Sequence, residues 1–510
     1  MRRLEGAITC ALCAAWLAGC ATSALEMAPP QPDRPWTPAI TSEGEMIAGQ
    51  KGAADAPTGG YVLPANPALA VFPPGPAIDE TRDYTLPELI DLAQSSNPQT
   101  RIAWNDARRV ALAAGIAEST YLPRITASAV GAYQSSSSND SVLGFSGNGR
   151  ESATGVISAV SLVWLLFDFG GRAAIVEAAK QASLVSNIAF TAAHQQVIYD
   201  VSLAFYANAA ARTRLATATQ SLKNTESVQA AAEDRRKHGI GTVVEVAQAR
   251  QATAQANLAL VQATGGAQDA HLRLVTAMGI SPLTKIRIAD VSDRQLSPAM
   301  AASVESIVSE ALSRRPDVLG AYAAQKASLA KVRAAEAEFK PKIFMSATGA
   351  YNSGNLDVTA LPSIGQQSPT VNINGKRLGG TVFAGVTIPL YDGGTRDAML
   401  AQARADADSA EARLTRIREE AVRQIVLADN ALRTSLAAHD ASKALVSAAQ
   451  TTFDAALGAY RGGVGSITDV NLAETQLLLA RNVRADAYST ALSAAATLAL
   501  STGALGSSRP

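Results

Sequence analysis

The chain has 510 residues, 44 basic and 44 acidic side chains and a net charge of zero. With no basic block and no acidic tail, it lacks the electrostatic footprint of a nucleic-acid binder or a solvating segment. The hydrophobic fraction of 47 % is ordinary for a folded protein, but much of it is alanine, which suits close helix–helix packing better than one thick core.

Residues 1–19 read as a signal rather than as structure. Arg2 and Arg3 form a positive n-region, and Ala7 to Ala18 is an apolar stretch too short to stay in a bilayer as a helix. It ends in Leu17-Ala18-Gly19-Cys20, which looks like a bacterial lipobox. Cleavage there would free Cys20 to carry lipid, and several acyl chains give durable attachment. The alternative is a plain secretory signal with an incidental cysteine. Ala21 follows instead of the aspartate associated with inner-membrane retention, so the outer membrane is favoured. Cys10, Cys13 and Cys20 are the only cysteines, so the folded body has no disulfide framework, thiolate metal site or thiol nucleophile. His194, His238, His271 and His439 match no metal spacing. No stretch beyond residue 20 is apolar enough for a transmembrane helix, so a crossing would need strands in a closed barrel.

Residues 20–80 are rich in proline, alanine and glycine and read as an extended, lipidated tether with no core of its own. The remainder reads as a tandem duplication, residues 81–298 and 299–510. Tyr121-Leu122-Pro123-Arg124 returns as Phe339-Lys340-Pro341-Lys342, and Leu166-Phe167-Asp168-Phe169-Gly170-Gly171 as Leu390-Tyr391-Asp392-Gly393-Gly394. Gly239-Ile240-Gly241-Thr242 returns as Gly463-Val464-Gly465-Ser466. Such matches, kept in one order, are the mark of a repeat.

Each copy contains a pair of strand-like stretches. Arg124 to Gln134 and Ala153 to Phe167 flank a Ser/Gly/Asn loop; Lys342 to Tyr351 and Gly380 to Tyr391 flank a longer one. Their lengths suit a tilted crossing of a bilayer. Tyr133, Trp164, Phe167, Tyr351, Phe383 and Tyr391 are candidates for interfacial girdles, the bland alternative being ordinary hairpin packing. Proline is then absent from Pro123 to Pro282 and from Pro389 to Pro510, which permits very long helices. Gly171 to Lys237 would span roughly 100 Å at the helical rise of about 1.5 Å per residue. Leu414, Ile417, Ala421, Ile425, Ala428 and Leu432 step by threes and fours like a coiled-coil seam. Each long helix ends at a glycine turn, and Thr242 to Glu245 and Ser466 to Asp469 both fit a capping box opening a second helix.

Long helical hairpins, strand hairpins, duplication and a lipobox together resemble the TolC-type outer-membrane efflux proteins, over about residues 81 to 505. The most specific segments are Tyr460 to Val470, its partner Lys237 to Val246, Arg314-Arg315-Pro316-Asp317 and Ile388 to Gly394. The lipobox points to the lipoprotein branch paired with resistance-nodulation-division pumps. The resemblance implies a mainly α fold with β. Three identical chains would form a periplasmic α-barrel of helical hairpins and a shared twelve-stranded transmembrane β-barrel. The partners implied are two further copies, a periplasmic adaptor, an inner-membrane pump and outer-membrane lipid. No nucleic acid and no cofactor are implied beyond the lipid on Cys20. The function implied is a passive exit duct, not an enzyme; no GxSxG, phosphate loop or HExxH is present.

The resemblance also assigns adaptor contact to the tips, at Gly239, Gly241, Thr242, Gly463, Gly465 and Ser466. It matches Asp469 to an aspartate lining the closed periplasmic aperture, where three copies would make a carboxylate ring. Capping duty alone is the other reading of Asp469. Leu472 stands where a second acid often follows in the family, which implies an apolar constriction there instead of a second ring. Glu245 is the matching acid of the first copy. The alternatives are a type I protein-secretion duct, a periplasmic adaptor and a structural coiled-coil lipoprotein.

Overall fold

A computed structural model describes residues 39–47, 65–70, 76–142, 145–290, 304–354, 358–359, 372–373 and 378–506, with Ala28, Pro32 and Leu63 singly. The signal and Cys20 lie outside the described residues. The chain divides into two units, Met1–Ala77 and Ile78–Pro510. In the first, β1 (Ala39–Ile40) pairs antiparallel with β2 (Met46–Ile47). Asn66 holds this turn by donating from Nδ2 to the Gly44 carbonyl at 2.9 Å, and its Oδ1 caps a short 3-10 turn at Pro67–Leu69. Where it is described, the segment expected to be an extended tether therefore carries local turns, and no residue of that 3-10 turn is buried.

The second unit repeats one plan twice. β3 (Asp83–Tyr84) leads to α1 (Leu86–Ser96) and α2 (Pro98–Ser119); then come β4 (Arg124–Val142), β5 (Phe145–Phe167), α3 (Gly171–Lys237) and α4 (Val243–Ala277). After β6 (Arg287–Ile288) the second copy runs α5 (Val304–Leu312), α6 (Pro316–Ala337), β7 (Lys342–Gly354), β8 (Val358–Thr359), β9 (Asn372–Ile373), β10 (Leu378–Thr387), α7 (Thr395–Arg461) and α8 (Ile467–Ser501). α3 and α7 have 67 residues each, and α4 and α8 have 35, so the two copies match helix for helix.

Local chemistry sets the corners. Each long helix starts after a left-handed glycine, Gly170 (φ 96°) or Gly394 (φ 87°). The preceding aspartate caps it: Asp168 accepts from the Arg172 N–H at 2.6 Å, and Asp392 from those of Gly394 and Arg396 at 3.2 and 3.1 Å. The same aspartates pair with Arg172 and Arg396, whose guanidiniums also donate to the Leu166 and Pro389 carbonyls at the strand ends. Strand and helix are thereby locked at a fixed corner. Where the first helix pair begins, Asn97 caps α2 through the Gln99 N–H and reaches the Ala277 carbonyl at the end of α4. In the second copy Arg315 makes that reach, donating to the Ser501 carbonyl at 2.8 Å and pairing with Asp317.

The helices do not pack on alanine alone. Leu89, Val201, Phe205, Leu274, Met278 and Leu492 build a fully apolar cluster part-way along α3, with the parallel β3–β6 pair beside it. A second cluster at the far end of the hairpins contains Val228, Val246, Phe453, Tyr460, Val470 and Leu477. Between them the seam turns polar: Asn208, Thr217, Ser221 and Thr225 of α3 and Ser435, His439 and Ser442 of α7 are all buried. Ala421, Ile425, Ala428 and Leu432 are buried as their spacing requires.

The four main strands form one antiparallel sheet in the order β10-β7-β5-β4. All four differ in length from the sequence expectation, β7 by running on to Gly354. β4 and β5 continue through the Ser/Gly/Asn stretch and pair as far as Val142 with Phe145, because serine and asparagine can hold a ladder when a partner strand supplies every backbone bond. β10 stops at Thr387, just before Pro389, which has no N–H to offer a ladder.

Register sorts the side chains by face, since paired residues share a face and neighbours alternate. One face carries Ile125, Ala127 and Tyr133 of β4, Val156, Val160, Leu162 and Trp164 of β5, Met345 and Tyr351 of β7, and Val382 and Val386 of β10. The other carries Thr126, Ser128, Ser161, Lys342, Ser346, Thr348, Thr381 and Thr387 together with Val130, Ile157, Val163, Leu165, Phe344 and Phe383. Ala159, Ser161, Thr348 and Ala350, all less than a tenth exposed, stand on the second face, so the sheet is concave there.

Candidate functional site: the hairpin tips

α3 ends in a glycine-closed turn. The Ile240 and Gly241 N–H groups both donate to the Arg235 carbonyl at 3.0 and 3.1 Å, with Gly239 left-handed at φ 77°. The second tip repeats this: Val464 and Gly465 donate to the Ala459 carbonyl at 3.0 Å, with Gly463 at φ 80°. Gly241 and Gly465 are needed for room. A Cβ on Gly241 would lie 2.9 Å from the Arg236 nitrogen, and one on Gly465 would lie 3.0 Å from the Ala459 Cβ.

Thr242 and Glu245 form the full capping box, with Glu245 Oε2 accepting from the Thr242 N–H at 3.0 Å and Thr242 Oγ1 from the Glu245 N–H at 3.1 Å. The second copy departs from that expectation. Ser466 Oγ caps the Asp469 N–H, but the Asp469 carboxylate takes the Ser466 hydroxyl at 2.7 Å and has no bond to the Ser466 N–H. Aspartate is one methylene shorter than glutamate, and the reciprocal half of the box is lost. Asp469 remains exposed, and Leu472, 59 % exposed, stands one turn on along the same helix face. Glu245 is half-buried. The six tip residues and Asp469 thus lie together at one end of the two hairpins. The tips also present Ile240, Val243, Val244 and Val464 to solvent, an apolar cap beside Arg236, Lys237 and Arg461.

Two contacts between the tips carry no signal in spacing or composition. Arg235 Nη1 donates to the Tyr460 carbonyl at 3.0 Å while its guanidinium lies over the Tyr460 ring, 4.9 Å from the centroid. Arg461 Nη2 donates to Ser227 Oγ at 3.0 Å. Tyr460 is fully buried, and its hydroxyl has no partner. Burial, followed by the Glu245 carboxylate, pushes that phenol above its ordinary range.

The sequence pattern described as "Outer membrane efflux protein" matches residues 89–280 and 307–504, one match for each copy of the repeat. The chain belongs to that family. It is 28 % identical over 453 residues to Protein CyaE of Bordetella pertussis, covering 88 % of this chain and 89 % of CyaE. It is 26 % identical over 432 residues to the probable efflux pump outer membrane protein TtgC of Pseudomonas putida, covering 80 % and 83 %. Its fold is that of the outer membrane protein VceC of Vibrio cholerae, with a TM-score of 0.68 over 82 % of this chain and 96 % of that one, at 20 % identity. The chain is therefore an outer-membrane efflux channel, in a family of ducts rather than of enzymes.

Proposed function

We propose that three copies of this chain close one pore through the outer membrane and continue it inward as a helical tube. The observation that carries this is the sheet. One face carries most of its large apolar side chains, with Ser158 among them, and β4 and β10 leave two open edges that lipid does not tolerate. Cyclic threefold pairing of β4 with β10 of the next copy removes every edge and makes a twelve-stranded barrel. On the apolar face Tyr133 and Tyr351 stand toward one end, and Trp164 and Phe167 toward the other. The ten-residue step from the level of Tyr133 to Trp164 is roughly 33 Å along a strand, or about 25 Å tall once tilted, the height of a barrel's apolar band. Phe383 leaves the girdle, because its pairing with Ser346 puts it on the polar face, and Tyr391 lies beyond β10.

The tips at Gly239, Gly241, Thr242, Gly463, Gly465 and Ser466 are the docking surface for a periplasmic adaptor, which links the duct to an inner-membrane pump. Their exposed valines and isoleucine suit burial against another helical hairpin. Cys20 carries the lipid, and residues 20–80 tether it to the body. Asp469 lines the closed aperture as a ring of three carboxylates, with Leu472 the apolar constriction beside it and Glu245 behind. Purified mature protein is expected to run as a heat-dissociable trimer in detergent and to conduct in planar bilayers. A water-soluble monomer with no conductance rejects the reading. In the same recordings Asp469→Asn lowers cation selectivity; unchanged selectivity and opening remove Asp469 from the aperture.

A further inference from the structure

Five residues beyond Asp469 lies Glu474, a carboxylate only 5 % exposed in the seam between α8 and α3. Asn224 Nδ2 of α3 donates to its Oε2 at 3.0 Å. Asn224 is itself oriented, because its Oδ1 accepts from Gln220 Nε2 at 2.9 Å. Ser221, also on α3, supplies a second hydrogen bond. Beside the carboxyl a groove of about 330 Å³ separates α8 from α4, lined by Gln248, Gln251 and Gln255 on one side and Asn471 and Thr475 on the other. The groove sets these amides among Ala252, Ala256, Ala259 and Leu478 and has room for several waters.

We propose that Glu474 is a proton-linked latch between the two helical hairpins: protonated, it seals α8 on α3, and ionised, it draws water from the groove into the seam and loosens it. The inference rests on the duct reading for its consequence, which is that acid tightens the tips and a rise in pH loosens them.

The chemistry around the carboxyl is one-sided. α3 offers Ser221, Asn224 and Thr225, and α4 offers amides, so neither brings a cation. Lys223 and Glu226, which flank Asn224 in sequence, are exposed. Along α8 the charge that acts on Glu474 is Arg481, two turns on. Its guanidinium already donates to Gln450 Oε1 of α7 at 2.6 Å. Burial without a contacting cation disfavours the ionised form and raises the Glu474 pKa, the two hydrogen bonds and Arg481 opposing it more weakly. The sign follows from linkage. The packed seam binds the proton more tightly than a hydrated glutamate does, so protonation stabilises packing at low pH, and this stabilisation is lost as pH rises through the raised pKa. The polar stretch of seam above it, with Asn208 and His439 each keeping an unpartnered buried atom, is the part of the interface with least to lose on parting.

The test uses the full-length mature protein in planar bilayers between about pH 5 and about pH 7.5, bracketing ordinary and raised carboxyl values. Wild type is expected to show a several-fold rise in open probability across that range. Glu474→Gln keeps the shape and the Asn224 contact but cannot ionise, and its profile is expected to stay flat and low. Glu226→Gln, an exposed carboxylate on α3, is expected to keep the wild-type slope. A Glu474→Gln channel with the wild-type slope, or a conducting wild type with none, overturns the latch. Hydrogen exchange on the same samples reads the seam without a pore. Amides of Ile467–Leu478 should lose protection with rising pH, beyond the chemical acceleration, in wild type and not in Glu474→Gln. Equal loss in both also overturns the latch. Wild-type protein that shows this exchange response but never conducts supports the latch and rejects the duct.

Discussion

At the scale of single residues, a few polar side chains hold main-chain ends that the helices cannot satisfy themselves. Arg315 is the clearest: nearly all of its side chain is buried, and it joins the start of α6 to the end of α8 through the Ser501 carbonyl, Asp317 and Gln424. Arg315→Ala leaves that carbonyl without a donor and Asp317 without its guanidinium, and is expected to cost about 2–4 kcal/mol, read as a drop in the melting temperature. Tyr460 gives the opposite expectation. Its hydroxyl is buried and unpartnered, so Tyr460→Phe should leave stability within about 1 kcal/mol of wild type or improve it. A larger loss measured by thermal unfolding would show that the hydroxyl finds a partner. The motif Arg314-Arg315-Pro316-Asp317 stands out in the sequence as a repeat marker. That its arginine docks the last helix does not, because Ser501 is far along the chain.

At the scale of elements, proline spacing permits the long helices and the glycine turns end them, since proline breaks a helix wherever it falls. Gly171 to Lys237 is a helix over that whole span. Strand ends are less legible: a ladder depends on its partner, and serine-rich sequence extends β4 and β5 beyond the stretch expected. The apolar face of the sheet is similarly hidden in any one strand and emerges once four strands are set in register. Its meaning can be checked with a pair of substitutions. Val160→Arg, at the middle of the apolar face, should cost about 2–4 kcal/mol of membrane insertion, whereas Thr381→Arg on the polar face should be tolerated. Folding into vesicles, followed by gel migration, distinguishes the two; equal defects would mean that the faces are assigned wrongly.

At the scale of the whole molecule, the open edges are the central fact. A sheet of four strands cannot close on itself at this size, and in the proposed trimer further copies of the chain supply the complementary edges. Cysteines introduced singly into β4 and β10 of one chain are expected to crosslink between copies and give dimer and trimer bands. A pair placed in β4 and β7 should give none. Exclusively monomeric product from the β4–β10 pair removes the closed barrel. In the proposed duct, opening takes place at the other end, where the tips of each copy are joined by Arg235 to Tyr460 and by Arg461 to Ser227.

Proline gaps, glycine turns, capping residues and the duplicated motifs act within a few residues of themselves, so the long hairpins and their sharp ends are determined by the sequence alone. The exposed position of Asp469 at a tip follows from the same local rules. Which strand pairs with which, which face is apolar, and which side chains meet across hairpins depend on residues hundreds of positions apart. Glu474 reads in the chain as one more helix-surface acid. Only the packing of α8 on α3 buries it against Asn224, because desolvation is a property of the surroundings and not of the residue.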